Sequence, residues 1–289
     1  MLRDLLNISV VVFAVTSMAS VGLTYTLRQI VGPLRHFRLV ALALLANFVV
    51  VPAWAVFITW LLQVDEPYRV GILIVAAASG APFLVKLVRM SDGDVAFAGS
   101  LLVLLLPVTV MYMPVVVPLI AADAHVSGLA IATELISTNI LPLAAGVVVL
   151  ASLPSVAIRV RPFVGQVSTL SLVALVALTV AAFAHDLIGV LGQRAILAAL
   201  LLIVGAYVFG FVLGAPDHHK GEIGLATAQR NTAAAMVVAT QAIGDPDTVV
   251  TVVVTLIVSM AALFPLASQL RKRSGRTAVE ARSSGADVR

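Results

Sequence analysis

Two positively charged side chains lie in or beside apolar stretches that are long enough to cross a membrane. Arg230 is in the middle of the segment 221–243, and Lys86 follows a segment that is interrupted at Gly80-Ala81-Pro82-Phe83. Placing a guanidinium near the centre of a bilayer costs several kcal/mol. An arginine at this depth therefore usually pairs with another group, faces a water-filled cavity or serves a function. Interrupted apolar segments with a cation in each half of the chain are typical of a transporter.

The composition indicates a protein whose solvent is largely lipid. Hydrophobic residues make up 61% of the 289 residues, charged residues make up 11%, and the mean hydropathy is +1.10. A soluble domain carries roughly 25% charged residues. The chain has no cysteine, which excludes disulfides and thiolate chemistry. Its five histidines fall at the ends of apolar segments, so we expect no His-rich metal site. No cofactor is expected, and sodium or a proton is left open as a coupling ion.

Nine apolar segments separated by polar loops predict an all-α polytopic membrane protein. We expect residues 1–270 to form one transmembrane unit. The tail 271–289 is basic, has little apolar content, and is expected to be disordered. The predicted spans are 6–27, 39–62, 69–89, 94–121, 128–150, 164–184, 193–214, 221–243 and 247–270.

The charges of the loops predict the orientation in the membrane. One set of loops and the tail carry 14 of the 18 Lys and Arg residues, the opposite loops carry three, and Arg230 is inside a span. Cytoplasmic loops are enriched in Lys and Arg, so we expect the amino terminus outside and the carboxyl terminus in the cytoplasm, in a cell (bacterial inner) membrane. Because the cations cluster by loop, nucleic-acid binding is not expected. The cytoplasmic set is Arg28, Arg35, Arg38, Lys86, Arg89, Arg159, Arg161, Lys220, Arg271, Lys272, Arg273, Arg276, Arg282 and Arg289.

The interrupted segments are the third and the eighth, so they cross the membrane in opposite directions. Spans one to four and six to nine can be paired as inverted repeats, with span five linking them, and matched broken helices place a substrate between the breaks. Gly80 and Pro82 favour a break, because glycine leaves helical geometry at little cost and proline lacks an N–H. The half-helices that restart at Phe83 and Asn231 present N–H groups and positive dipole ends, which suit an anion.

Polar residues near the two breaks are the candidates for substrate binding. Arg230 is expected to grip a carboxylate or sulfonate with its planar fork, and the alternative is that it pairs with carbonyls freed at the break. Lys86 reaches the substrate cavity or extends to the cytoplasmic interface. Asn231 caps the half-helix or contacts the substrate, and Asn47 contacts the substrate or makes an interhelical hydrogen bond. The predicted set is Asn47, Gly80, Ala81, Pro82, Phe83, Lys86, Arg230, Asn231 and Thr232.

Two further residues are candidates for coupling transport to an ion. Glu134 lies in span five, and a buried carboxylate there can exchange a proton near neutral pH. The alternative is that Glu134 is exposed near the outer interface. Gln229 precedes Arg230 and offers an amide oxygen to a cation.

Several short motifs, taken in order, resemble the bile acid–sodium symporter family over nearly the whole chain. They are Val21-Gly22-Leu23-Thr24, Ala46-Asn47-Phe48 with Pro52, the break at Gly80, Gly93-Asp94-Val95-Ala96, and Asn231 with Ala233-Ala234. The resemblance implies a core domain that holds the crossed broken helices, a separate panel domain, and alternating access between them. The chain resembles the nine-span form of the family.

The same resemblance implies that the sodium sites of the family are altered here. The small hydroxyl and amide residues that follow the first break in sodium-coupled members correspond to Phe-Leu-Val at 83–85. The sodium-binding hydroxyls of the next helix correspond to the stretch 101–106, and the acidic ligand and the glutamine of helix eight correspond to Ala226 and Arg230. Leucine and alanine offer no side-chain oxygen, so we expect transport without sodium. Arg230 then supplies the positive charge that an ion would bring. The alternative is an unusual sodium site made by Gln229, Asn47 and backbone carbonyls.

The sequence therefore predicts a secondary transporter of a small organic anion, such as a bile-acid-like molecule, a keto acid or another carboxylate or sulfonate. Its expected partners are the lipid bilayer and that anion, and no oligomeric state is predicted. An arsenite-type efflux carrier and a non-transporting membrane receptor are the alternatives. An intramembrane enzyme needs a nucleophile and a base, or a metal cluster, at one depth, and the chain shows neither.

Overall fold

The protein is a bundle of helices in the computed structural model, which describes residues 2–26, 37–121, 126–183, 194–214 and 219–286. Within these ranges the chain forms helices and turns and no strands. The helices are α1 (Leu2–Gly22), α2 (Phe37–Leu61), α3 (Glu66–Ala77), α4 (Leu84–Met90), α5 (Val95–Ile120), α6 (Gly128–Ser152), α7 (Pro154–Ala182), α8 (Ala195–Leu213), α9 (Lys220–Ala228), α10 (Thr232–Val237) and α11 (Pro246–Ala286).

Seven of these helices are long and apolar enough to cross a membrane, namely α1, α2, α5, α6, α7, α8 and α11. The other four are short and form two consecutive pairs, α3 with α4 and α9 with α10. The predicted all-α polytopic membrane fold is confirmed, and both interruptions fall where the sequence placed them. The count of nine spans stays a prediction, because neither interrupted pair is a continuous helix of spanning length.

Two helix boundaries differ from the expected ones. Helix α7 begins at Pro154, well before residue 164, because proline is tolerated in the first turn, where its missing N–H would have no partner. Helix α11 continues to Ala286, past the expected end of the last span at 270, and the disorder expected of the tail 271–289 stays a prediction. Arg28, Arg35 and Arg289 of the cytoplasmic set lie outside the described residues.

The helices pack in two groups. Helices α1, α6 and α7 pack along one another, and we call them the three-helix layer. Between α1 and α7, the Ser17 and Ser168 hydroxyls are hydrogen-bonded at 2.6 Å. The remaining helices form the crossing group, in which α8 packs on α9, and α11 packs on α3 and α8. Both interrupted pairs therefore belong to the crossing group.

Three wider, π-helical turns occur among the described residues, and two of them end two residues before a proline. The turns are Ala46–Val50 before Pro52 and Ile136–Ile140 before Pro142, and the third, Val238–Ile243, follows α10. Proline has no N–H to donate and clashes with the carbonyl four residues earlier, and a wider turn relieves both problems. The first two turns each hold a fully buried asparagine, Asn47 and Asn139 respectively.

The first break depends on Gly80. Its φ is +76°, a left-handed conformation that side chains with a Cβ rarely adopt, and an added Cβ would lie 2.7 Å from the Leu106 backbone nitrogen. Thr109 of α5 replaces the missing helical partners of Ser79. The Ser79 N–H donates to Thr109 Oγ1, and that hydroxyl donates to the Ser79 carbonyl, both at 3.0 Å. The break is thus anchored to α5.

The second break contacts the first one directly. Asn231 caps α10, because its Oδ1 accepts a hydrogen bond from the Ala234 N–H at 3.1 Å. The Asn231 backbone N–H donates to the Ala78 carbonyl at 2.9 Å. A backbone hydrogen bond therefore joins the two breaks.

We predict that Gly80→Ala destabilises the protein by about 2–4 kcal/mol. The left-handed conformation costs alanine about 1–2 kcal/mol, and the close approach to the Leu106 backbone adds the cost of shifting α5. Thermal unfolding of purified protein in detergent measures the loss.

Two other glycines separate these two effects. Gly244 has a φ of +73° but open space where a Cβ would lie, so Gly244→Ala reports the backbone cost alone. Gly221 is helical and also has open space there, so Gly221→Ala is expected to be neutral or slightly stabilising. If Gly80→Ala destabilised the protein no more than Gly244→Ala, the cost assigned to the close approach of Gly80 to α5 would be wrong.

Candidate functional site

Arg230 lies where the two breaks meet and is only 1% exposed. All five of its guanidinium N–H groups have acceptors within the protein. Nε donates to the Val75 carbonyl at 3.3 Å. Nη1 donates to Asn47 Oδ1 at 2.9 Å and to the Thr227 carbonyl at 3.1 Å, and Nη2 donates to the Asn47 carbonyl at 3.4 Å and to the Ala76 carbonyl. A guanidinium has five N–H donors, so none is left over.

Three of these acceptors belong to the carboxyl-terminal turns of α3 and α9. The last four carbonyls of a helix lack intrahelical partners, and each helix end carries about half a negative charge. The two converging ends together carry about one negative charge, which the guanidinium balances. No salt bridge between described residues involves Arg230. The helix ends, rather than a carboxylate, are therefore its counter-charge.

Asn47 ties helix α2 to both breaks. Its Oδ1 accepts hydrogen bonds from Arg230 and, at 2.7 Å, from the Ser79 hydroxyl. Its Nδ2 donates to the Ala43 carbonyl at 2.9 Å and to Thr227 Oγ1 at 3.3 Å. The π-helical turn of α2 points this amide into the crossing. Asn47 is thus a fully hydrogen-bonded part of the cage around Arg230.

These contacts match the alternative interpretation of Arg230, in which it pairs with carbonyls freed at the break. To grip an anion as well, the guanidinium would have to give up some of its five hydrogen bonds. The exposed positive charges near the breaks belong to other side chains, Lys86, Arg89 and Arg161.

A cavity of about 460 Å³ separates the three-helix layer from the crossing group. This size is in the range of small-molecule sites. Apolar side chains line much of it, including Phe13, Val21, Phe83, Leu172, Leu256 and Met260. Hydroxyl groups from α1, the turn that follows it and α7 add polar positions, namely Ser17, Ser20, Thr24, Ser168 and Thr169. The wall is suited to a molecule with both apolar and polar parts.

Three cations besides Arg230 line the same cavity, and no Asp or Glu is among its lining residues in the described part of the chain. Lys86 and Arg89 come from α4, and Arg161 comes from the first part of α7. All three are exposed. Lys86 Nζ lies 5.1 Å from the centre of the Phe83 ring, and this ring packs edge-on against Phe264 of α11 at 5.6 Å. Unlike the guanidinium of Arg230, these three charges are exposed at the cavity.

The breaks form the inner wall of the cavity. Of the predicted residues, Ala81, Pro82, Phe83, Lys86, Gln229, Arg230 and Thr232 line it, whereas Asn47, Gly80 and Asn231 are not lining residues. The structure therefore brings together most of the predicted set and places the other three within the framework of the breaks.

Unpaired polar atoms lie at this inner wall. Among the described residues, Gln229 Oε1 and the Tyr25 hydroxyl are buried without a hydrogen-bond partner, and both residues line the cavity. Buried polar atoms are usually paired, so each is available to a bound molecule or water. Asn231 Nδ2 is also buried and unpaired.

Glu134, the other coupling candidate, lies in α6 and is half-buried. It is not a lining residue of the cavity, and its backbone carbonyl accepts hydrogen bonds from the Ser137 and Thr138 hydroxyls. The structure does not bring Glu134 together with Arg230.

Sequence reasoning did not select Arg89, Arg161 or Tyr25 as site residues. The spacing of Lys86 and Arg89, three positions apart, places both on one helix face and could have linked them. Nothing in the sequence links Arg161 or Tyr25 to α4, because they meet only through the packing of α1 and α7 against the crossing group.

The fold and the cavity are those of a multi-pass membrane transporter. The model of the sodium bile acid symporter family matches residues 11–193, more than half of the chain, and the chain belongs to this family. It is also similar to the probable sodium/metabolite cotransporter BASS1, chloroplastic, of Arabidopsis thaliana, with 23% identity over 243 residues. The aligned region is 81% of this chain and 59% of that relative, so the chain spans well under two thirds of its length.

We predict that Asn47→Ala destabilises the protein by about 2–4 kcal/mol, because it leaves a buried charged donor and the Ser79 hydroxyl without their acceptor. Asn139→Ala is the matched control. Asn139 is equally buried and also lies in a π-helical turn, but among the described residues its Oδ1 has no hydrogen-bond partner and its Nδ2 donates only to Thr138 Oγ1. We expect a loss of at most about 1 kcal/mol there. Equal losses in thermal unfolding would contradict the role given to Asn47.

Proposed function

We propose that the protein is a secondary transporter that carries a small organic anion through the cavity between the three-helix layer and the crossing group. The observation that carries this proposal is that three exposed cations line the cavity while none of its described lining residues is a carboxylate. An anion entering the cavity therefore meets favourable charge from the described part of the chain. Alternating access moves the three-helix layer relative to the crossing group, whose breaks are tied together by hydrogen bonds.

The substrate class follows from the lining. A carboxylate or sulfonate group is placed at Lys86, Arg89 and Arg161, and an apolar body is placed against Phe83 and the side chains of α11. The inner wall adds Gln229 as a hydrogen-bonding group. The name of the plant relative, a sodium/metabolite cotransporter, supports an organic metabolite as the cargo.

We further propose that transport does not require sodium. The half-helix after the first break begins with Phe83 and the buried Leu84, and Ala226 of α9 is also buried. None of these side chains offers an oxygen to a cation. A proton remains the alternative coupling ion, with Glu134 as its candidate carrier.

Flux into proteoliposomes tests the function. Purified protein is reconstituted and the uptake of labelled pyruvate, benzoate and taurocholate is measured in sodium and in choline media of equal ionic strength. We expect saturable flux of at least one anion that is equal in the two media. A steep sodium requirement would overturn the sodium proposal, and no saturable flux of any organic anion would overturn the carrier proposal. Repeating the assay across pH with Glu134→Gln tests proton coupling.

The cations of the cavity predict a specific loss of affinity. Arg161→Gln removes a solvated charge that faces the anion, so the apparent affinity should fall roughly fivefold, about 1 kcal/mol. Arg159→Gln is the control, since Arg159 is exposed two residues earlier on α7 and does not line the cavity. The measurement is the concentration dependence of flux for the best anion of the panel. An equal loss of apparent affinity in both variants would show that Arg161 contributes only to the overall positive charge of the surface and does not contact the anion.

The orientation rests on the asymmetry of the loop charges. We propose that the carboxyl terminus is cytoplasmic in a cell membrane, so a fluorescent protein that matures only in the cytoplasm should be bright when fused there. A dark fusion at normal expression would show that the carboxyl terminus is outside, opposite to the proposed orientation. The cavity cations, which belong to the same loop set, would then face outward.

A further inference from the structure

We propose that the start of α7 lies in the headgroup region of the membrane and binds an anionic phospholipid there. The part concerned is residues 153–163, which we call the interfacial segment. Its Arg159 meets the lipid phosphate, and the exposed apolar side chains beside Arg159 meet the acyl chains. This surface is on the outside of the three-helix layer, away from the cavity.

Helix α7 is longer than a membrane span requires. It has 29 residues, which is about 43 Å, whereas the hydrocarbon core is about 30 Å thick and needs about 20 residues. Ser168 is hydrogen-bonded to Ser17 of α1, and Gly165 lies beside Ser20 of α1. Since α1 ends soon afterwards at Gly22, the surplus length of α7 lies before Gly165. The interfacial segment is this surplus.

The start of α7 also runs obliquely to α6. Gly146 of α6 packs against the last turn of α1, so Gly146 and Gly165 lie at about the same depth. From Gly146 to its last residue, Ser152, α6 advances about 9 Å, whereas α7 takes about 16 Å from Pro154 to Gly165. A single residue joins the two helices, so the longer path must be inclined. Pro162 lies within this path, and proline is the commonest cause of a helix bend.

The interfacial segment is exposed over nearly its whole length. Ala157 is the only buried residue within it. Five of its apolar side chains are between 38% and 68% exposed, namely Leu153, Val156, Ile158, Val160 and Phe163. Such a run of exposed apolar side chains is unfavourable in water. At the level of the headgroups it becomes favourable, because the apolar side chains reach the acyl chains there.

The segment has two faces with different surroundings. Residues three and four positions apart share a face of a helix. The face towards the crossing group lines the cavity with Ile158, Arg161 and Pro162. The outer face does not line the cavity and consists of Val156, Arg159, Val160 and Phe163. Arg159 is therefore on the lipid side of α7.

The outer face continues towards the hydrocarbon. Leu170 follows Phe163 after two turns, so it lies on the same face, and it is 68% exposed. The cation at Arg159 thus stands at one end of an apolar track. A phospholipid has the same arrangement, with its phosphate above its acyl chains.

The charges favour a lipid with a net negative charge. Between Glu134 and Asp186 the sequence has no acidic residue, and its only Lys or Arg residues are Arg159 and Arg161. No salt bridge between described residues involves Arg159. A basic side chain near the membrane surface attracts anionic lipids, whereas a zwitterionic lipid offers the same acyl chains without the net charge.

Thermal unfolding of the purified full-length protein in a neutral detergent tests the choice of lipid. Dioleoylphosphatidylglycerol and dioleoylphosphatidylcholine, which share their acyl chains, are titrated separately. We expect Tm to rise saturably with phosphatidylglycerol, and to change much less with phosphatidylcholine or with inorganic phosphate. Arg159→Gln, a change at an exposed position, should raise the phosphatidylglycerol concentration at half of the rise about fivefold.

Two further variants separate the site from the overall charge of the surface. Arg271→Gln removes the same charge from another exposed arginine, which pairs with Asp92 at 3.2 Å, and it should respond like the natural protein. Phe163→Ala keeps the charge and shortens the apolar track, so it should also weaken the response to phosphatidylglycerol.

Spin labels test where the segment lies. The chain has no cysteine, so a label on Val156→Cys or Val160→Cys is unique. In vesicles of the two lipids, we expect both labels to collide more often with oxygen, which concentrates in hydrocarbon, than with a water-soluble nickel chelate. A label on Lys220→Cys, exposed at the start of α9, serves as the reference and should show the reverse.

Several results would overturn the lipid site. They are an equal response to the two lipids, an equal response to inorganic phosphate, equal losses in Arg159→Gln and Arg271→Gln, or a label at Val156 that meets the nickel chelate more often than oxygen. Neither assay measures transport, so the lipid site and the carrier function can fail independently. The flux comparison of Arg161 with Arg159 uses vesicles of phosphatidylcholine alone, which keeps anionic lipid out of it.

Discussion

The structure depends on one electrostatic constraint: two helices end inside the bundle with their carbonyls pointing at each other. Water would satisfy such ends at a surface, but at this depth they need a cation and hydrogen-bond donors. Arg230 supplies both, and Asn47, Ser79 and Thr109 position the surrounding backbone. The left-handed Gly80 and the extended Gln229 are the backbone conformations that let α3 and α9 stop where they do.

The molecule divides its positive charges between two tasks. The buried guanidinium is fully hydrogen-bonded and holds the breaks together, so its contribution is insensitive to salt. Lys86, Arg89 and Arg161 are exposed in the cavity, where their attraction for an anion is screened by ions over about 8 Å at physiological ionic strength. Stability and recognition therefore respond differently to ionic strength, although both depend on cations within the same few helices.

The sequence predicted what local chemistry decides. The apolar segments predicted the membrane fold, and Gly80, Pro82 and Asn231 predicted the two interruptions, because their backbone preferences act over a few residues. The acceptors of Arg230 were not predictable, since Val75, Ala76 and Thr227 contribute main-chain oxygens that leave no trace in residue type. Arg161 and Tyr25 reach the cavity only through packing between groups of helices. The sequence allowed the alternative role of Arg230, in which it pairs with freed carbonyls. It did not predict that all five N–H groups of the guanidinium would find acceptors.

Lys86 stacks on the ring of Phe83, which packs against Phe264, so one of the exposed charges of the cavity already has a partner. Before an anion binds, the ammonium already has a partner, the face of the ring, worth about 0.5–1 kcal/mol at an exposed position. For the proposed anionic substrate, the gain from Lys86 is therefore smaller than a bare ammonium would give, because the ring already balances part of its charge. An aromatic pair with no charge of its own thus tempers the attraction that one cation of the cavity exerts on the proposed anion.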